Sequence, residues 1–208
     1  MSKSEICEHL IALGADFHRR GWALGTSGNF SVVIERAPLR LAITASSVDK
    51  SCMTSDHILE VDGRGRMLNG ASGKPSAETL LHIAVVQATG ASAVLHTHSV
   101  WSTILSDYHR GQVGFHIQGY EMLKGLEGVS THEHEEWLPI LENSQDIEAL
   151  AGEAEALLKA QSNLHGFLIR RHGLYTWGQS LAEAKRHVEI LEFLLESVGR
   201  RRMMEPIA

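Results

Sequence analysis

Two rhythms of apolar positions alternate along the chain. Ile6, Leu10 and Leu13 recur at helical spacing behind Ser2-Lys3-Ser4-Glu5, which has the form of a capping box, and Gly21 supplies a stop, so a scaffold helix opens the sequence. Helical spacing returns at Leu81, Ala84, Val85 and Ala88, behind Pro75-Ser76 and ahead of Gly90. It returns again over residues 146–161, where Ile147, Leu150, Ala154, Leu157 and Leu158 make one apolar side, and behind Ser180-Leu181-Ala182-Glu183, which opens a long helix to about Arg200. Residues 100–105 are largely apolar and fit one more helix. Between these lie short apolar runs that predict strands at 32–34, 39–44, 58–62, 93–98, 114–117, 166–169 and 174–178. Gly63-Arg64-Gly65 turns the third of them back into Arg66-Met67-Leu68, and this early meander predicts antiparallel pairing rather than βαβ units.

The bulk numbers bound the answer. With 208 residues the chain reads as a single domain, 1–208, with a substantial core. A hydrophobic fraction of 43% and a charged fraction of 21% are those of an ordinary globular protein. A net charge of -6 argues against general nucleic-acid binding, which needs a basic face. No run approaches the ~18 apolar residues of a membrane span, and the first residues lack a signal-peptide pattern. Cys7 and Cys52 are far apart and form no C-x-x-C, so both are read as free thiols in a reducing, cytoplasmic setting.

The 13 histidines change the picture. Ala93-Val94-Leu95 runs straight into His96-Thr97-His98, and residues two apart on a strand share a face. His96 and His98 then point together, with Thr97 on the other side, as half of a metal site; imidazole is a common ligand for zinc, which takes three or four protein ligands. His172 follows another strand and precedes Gly173, which makes it the candidate third ligand; as a residue of a turn it needs no metal at all. Gly25-Thr26-Ser27-Gly28-Asn29 can cradle an anion with backbone N–H groups and the side chains of Thr26, Ser27 and Asn29, or serve as a plain turn. Thr44-Ala45-Ser46-Ser47 is a second hydroxyl-rich bend after a strand. Glu78 belongs to the first turn of the helix behind Pro75, where the helix dipole alone explains an anion. Glu121 lies among apolar neighbours, and burial there would raise its pKa; the alternative is a surface glutamate on a short helix. Thr131-His132-Glu133-His134-Glu135-Glu136 has ligand-type residues but no apolar frame, so it reads as a solvated loop rather than a second metal cluster. His187 reads as a packing or surface residue, and Arg200-Arg201-Arg202 as a tail either frayed or held by a neighbouring subunit.

Five blocks in order, Gly25-Thr26-Ser27-Gly28-Asn29, Thr44-Ala45-Ser46-Ser47, Pro75-Ser76-Ala77-Glu78, His96-Thr97-His98 and Arg171-His172-Gly173, resemble the class II aldolase/adducin family over nearly the whole chain. The resemblance implies an α/β fold of three layers, α/β/α, with a mainly antiparallel central sheet. It implies one zinc ion per subunit on His96, His98 and His172, and a substrate phosphate held by Thr26, Ser27, Gly28, Asn29, Ser46, Ser47 and Ser76. Within the family, Gln118-Gly119-Tyr120-Glu121-Met122-Leu123-Lys124-Gly125 looks like the stretch of dehydratase members in which the glutamate matching Glu121 transfers protons. In aldolase members the glutamate matching Glu78 does so, and this chain has both. The resemblance therefore implies zinc-dependent dehydration of a ketose 1-phosphate to a 2,3-diketone 1-phosphate. The rivals are retro-aldol cleavage of a sugar phosphate on the same scaffold and a non-catalytic module of adducin type. It also implies a homotetramer with sites near subunit boundaries. One departure is that Ala45 and Ser47 stand where many members carry proline and glycine.

Overall fold

The computed structural model describes residues 2–68 and 73–205. Helix α1 (Lys3–Arg19) begins as expected: the Ser2 hydroxyl accepts from the Glu5 N–H and the Glu5 carboxylate accepts from the Ser2 N–H. A hairpin follows, β1 (Asn29–Arg36) and β2 (Leu39–Thr44), then β3 (Ile58–Asp62). Past β3 the chain doubles back, with Val61 bridged to Met67. Helix α2 (Thr79–Thr89) ends at Gly90, whose φ of 70° is the left-handed cap glycine adopts without cost. Then come β4 (Ala93–Thr97), α3 (Val100–Tyr108), β5 (Gly114–Gln118), β6 (Glu135–Leu141), α4 (Ile147–Ala160), β7 (Gly166–Ile169), β8 (Gly173–Gly178) and α5 (Leu181–Met204).

The eight strands form one sheet in the order β3-β2-β1-β4-β8-β7-β6-β5. The pairing is antiparallel throughout except between β6 and β7. The period-two alternation of the strands splits the core into two faces. On one, Leu41, Ile43, Leu59, Val94, Phe167 and Tyr175 pack under α2 and α4. On the other, Phe30, Val32, Ala93 and Leu95 meet α1 and the start of α5, while Phe115, Leu138, Leu168 and Leu174 meet α3 and the rest of α5. The fold is thus the expected three-layer α/β/α arrangement around a mainly antiparallel sheet.

Three details differ from the sequence reading. Strand β6 begins inside the expected loop, at Glu135 and Glu136, and continues through residues 137–141, for which the sequence predicts no element: the polar start and Pro139, which pairs with Gly114 of β5, hide the strand. Helix α2 begins at Thr79, so Glu78 sits one residue before it, at φ -76° and ψ 2°, with no side-chain cap bond. The arginines at the end of α5 are not a loose tail: Arg202 stacks over Tyr108 of α3, 4.6 Å from the ring centroid.

Candidate metal centre and anion cleft

One end of the sheet collects most of the candidate residues. His96 is the fourth residue of β4 and His98 follows the strand end, both turned to the α2 face, while Thr97 turns to the opposite face and donates to Glu192 of α5 at 2.8 Å. His172 stands in the turn between β7 and β8. That turn is pinned to α3, where the Arg171 N–H donates to the Ser106 hydroxyl at 2.9 Å and the Arg171 Nε to Asp107 at 2.8 Å. Gly173 beside it has no room for a side chain: a Cβ would lie 2.0 Å from the Thr97 carbonyl oxygen and 3.1 Å from the His96 ring.

The three imidazoles converge through Nε2. His98 Nε2 lies 2.7 Å and His172 Nε2 3.4 Å from His96 Nε2. Glu78 Oε1 completes the group, 3.4 Å from His96 Nε2 and 3.1 Å from His172 Nε2. His96 donates Nδ1–H to the Leu174 carbonyl at 3.0 Å, which leaves the lone pair on Nε2. Its ring is held flat by Tyr175, stacked at 4.0 Å and itself stacked on Phe167 at 5.1 Å. Burial, reinforced by the neighbouring His96 and His172, pushes His98 down to about 3, so it stays a neutral ligand-type base. Burial alone would raise the Glu78 carboxyl, but His96 and His172 outweigh it and hold it ionised, well below the usual carboxylate range. Burial, reinforced by Glu78, raises the Tyr175 phenol well above its ordinary value, so it is neutral.

Glu78 Oε1 is a buried oxygen with no hydrogen-bond donor. An orphaned carboxylate oxygen facing three imidazole nitrogens fits a divalent cation, and Glu78, His96, His98 and His172 offer ligand atoms within 4.8 Å of one another. The other oxygen, Oε2, accepts from Asn29 Nδ2 at 2.6 Å. Asn29 is fixed in turn by the His82 Nε2–H on its carbonyl, and His82 Nδ1 accepts from the Ser31 hydroxyl at 2.8 Å. Burial pushes His82 down to about 3, so a neutral imidazole relays between Ser31 and Asn29. The sequence reading missed His82, Ser31 and Tyr175. Period two from Asn29 to Ser31 on β1 was the available signal, and the partner on α2 was not.

Beside the cation group lies a cleft of about 180 Å³ lined by Thr26, Ser27, Gly28, Asn29, Ser46, Ser47 and Ser76, with Glu78 and His98 at its inner wall. Every residue expected to hold phosphate is therefore on one surface, although the Asn29 amide is engaged by Glu78 and, at 3.3 Å, by the Ser76 hydroxyl oxygen. Gly28 has φ 73°, and a Cβ there would sit 2.9 Å from the His96 carbonyl oxygen, so glycine lets the loop approach β4. Ser47 keeps the left-handed conformation, φ 59°, that a glycine would adopt freely. Lys50, fully buried, ties the two bends together, with Nζ donating to the Val48 carbonyl at 2.8 Å and the Thr26 carbonyl at 3.4 Å. Burial, opposed by Asp49, lowers its ammonium to about 8.

Glu121 is elsewhere. It opens a short 3-10 turn (Glu121–Gly125) after β5, and its side chain is 71% exposed and paired with Lys124 at 2.7 Å. That pairing lowers its pKa, so the raised value expected from burial is corrected: the residue is a surface carboxylate. Strand β5 is four places from β4, about 19 Å at the usual strand spacing. It also runs so that Gln118, three residues before Glu121, pairs with the first residue of β6, at the end of the sheet away from His96.

The fold and site define a class. Residues 8–198 match the family described as class II aldolase and adducin N-terminal domain, and the chain belongs to that family. The chain is 42% identical over 189 residues to a methylthioribulose-1-phosphate dehydratase of Hahella chejuensis, covering 90% of this chain and 89% of that one. It is 44% identical over 188 residues to the enzyme of the same name from Methylococcus capsulatus, with 90% and 89% covered. In three dimensions it resembles an L-fuculose-1-phosphate aldolase from Thermus thermophilus, with a TM-score of 0.78 and 24% identity over 100% of both chains, which is a likeness of fold. Among the described residues no helix is long and apolar enough to cross a membrane.

Proposed function

We propose that this protein dehydrates 5-methylthioribulose 1-phosphate to 2,3-diketo-5-methylthiopentyl 1-phosphate, a step of methionine salvage, and that it uses one zinc ion per subunit on His96, His98 and His172. The observation that carries this reading is the convergence of three Nε2 atoms and an orphaned Glu78 oxygen next to a hydroxyl-lined cleft. Relatives more than 40% identical that bear the dehydratase name support the choice of reaction. A zinc ion at the imidazoles supplies Lewis-acid polarisation of the C2 carbonyl when bound.

The chain's own residues do the rest. Thr26, Ser27, Gly28, Ser46, Ser47 and Ser76 anchor the C1 phosphate, so that its binding energy orients C2 and C3 at the inner wall. Asn29 orients Glu78, which exchanges a proton with a substrate oxygen. Glu121 takes the proton from C3 and delivers one to the C4 hydroxyl, which leaves as water; the resulting enol tautomerises to the diketone. General acid–base transfer of this kind contributes about 10²- to 10⁴-fold. Because Glu121 lies across the sheet from His96 in its own chain, it serves the site of a neighbouring subunit in a homotetramer. The two free cysteines accord with a reducing, cytoplasmic setting.

The test is incubation of the purified protein with 5-methylthioribulose 1-phosphate, with and without chelator. Chelator-sensitive appearance of the diketone is expected. Dihydroxyacetone phosphate plus an aldehyde would instead assign the aldolase reaction, and no turnover with saturating zinc would remove the catalytic reading.

A further inference from the structure

Strands β6 and β7 run parallel but pair only at the His96 end of the sheet, through Ile140 with Leu168 and Leu141 with Ile169. Beyond that short ladder the strands are joined by side chains. His134 and Glu136, two residues apart at the start of β6, meet His165, which immediately precedes β7. His134 Nε2 lies 2.8 Å from Glu136 Oε2, and His165 Nδ1 lies 3.0 Å from each Glu136 oxygen. Glu136 is only 2% exposed, and its ion-pair partners among the described residues are these two imidazoles. A carboxylate so buried needs compensating positive charge.

The ring orientations suit a cation. His165 donates Nε2–H to the Glu127 carbonyl at 2.8 Å, which directs the lone pair of the neutral ring to Nδ1, toward Glu136. His187, edge-on to His165 at 5.3 Å, has both nitrogens engaged: Nδ1–H donates to the Trp177 carbonyl at 2.8 Å and Nε2 accepts from the Glu127 N–H at 3.2 Å. It is a wall of the site and not a ligand. A cavity of about 490 Å³ opens onto His134 and His165, with room for water to complete a coordination shell. Two imidazole nitrogens and one carboxylate oxygen are a donor set zinc uses when one position stays open to solvent. The two His–Glu pairs, now 2.8–3.0 Å apart, need to spread only to about 3.3 Å, the separation around a tetrahedral ion with ~2.0 Å bonds, and all three ligand atoms lie within 4.8 Å of one another.

We propose that His134, Glu136 and His165 form a second zinc site, with one position left to water, which clamps β6 to the segment leading into β7. It is independent of the catalytic assignment.

The test is zinc titration of chelator-stripped full-length protein, read by calorimetry and elemental analysis. Two zinc ions per wild-type chain are expected at micromolar free metal, one in His98→Ala, and one in His134→Ala. Glu136→Gln, which keeps the shape and an acceptor oxygen, should also bind one while retaining its circular dichroism spectrum. In His98→Ala, zinc should raise Tm by about 5 °C or more, and in the double variant with His134→Ala it should not. A zinc stoichiometry that neither His134→Ala nor Glu136→Gln lowers, or loss of zinc in these variants only at millimolar metal, would overturn the proposal and leave a proton-bridged His–Glu–His cluster.

Discussion

Asn29 holds one oxygen of Glu78 and thereby aims the other: Nδ2 donates to Oε2 at 2.6 Å, while Oε1 faces His96 and His172 at 3.4 and 3.1 Å. Partners that orient a metal-site group typically contribute 10- to 100-fold in affinity or activity. Asn29→Ala is therefore expected to fold normally and to lose about 10- to 100-fold in zinc affinity or kcat. Unchanged values in a metal titration and steady-state assay would show that Glu78 needs no such support.

His98→Ala removes one of three converging nitrogens. Elemental analysis should find the catalytic-site zinc gone, and turnover with it, while the sheet remains folded. Full occupancy of that site in the variant would contradict the ligand assignment.

Glu121→Gln should keep the catalytic-site zinc and the fold yet lose about 10²- to 10⁴-fold in kcat. Because Glu121 is proposed to act across a subunit boundary, mixing inactive Glu121→Gln with inactive His98→Ala chains, and allowing subunits to exchange, should restore part of the activity. No recovery in verified hetero-oligomers would place the two residues' work within one chain or remove Glu121 from the reaction.

Ser47 sits at φ 59° in the second bend of the cleft. Glycine relieves the Cβ strain of that conformation, so Ser47→Gly is expected to gain about 1 kcal/mol in native stability, partly offset by unfolded-state entropy. If the KM for substrate also stays within about twofold, the phosphate is held there by backbone N–H groups; a rise of tenfold or more would credit the Ser47 hydroxyl.

Glu192, fully buried beneath Thr97, is pushed up to about 7 by burial, against the hydrogen bond from Thr97. The native state then binds this proton more tightly than the unfolded chain, whose carboxyl has the ordinary value of 4.5. The group therefore costs stability as pH rises from about 4.5 to about 7, and the cost is complete above that. Glu192→Gln keeps an acceptor for Thr97 and should be more stable than the parent at pH 8, by about 1–3 kcal/mol, with little difference at pH 4.5. Equal differences at both pH values, in urea melts, would show that Glu192 does not change protonation in this range.

How much could be read before folding depended on the range of the forces involved. Local periodicity and caps were enough for α1, β2, β3, β7 and α4, because each is set by contacts within a few residues. His96 and His98 were legible for the same reason, since a strand puts alternate residues on one face whatever surrounds it. Strand β6 was not: its polar first half becomes a strand through pairing with β5, and Glu136 becomes buried only once His134 and His165 close over it. Side-chain pattern and backbone sterics were thus sufficient for most of the elements and the types of ligand, while the three layers were implied only by the likeness of the five blocks to a known family. Only the folded arrangement joins Asn29, His82 and Ser31 into one hydrogen-bonded line behind Glu78, and only it stands Glu121 away from the histidines of its own chain. Those relationships link residues tens of positions apart, and their geometry follows from strand order and packing, which no local pattern encodes.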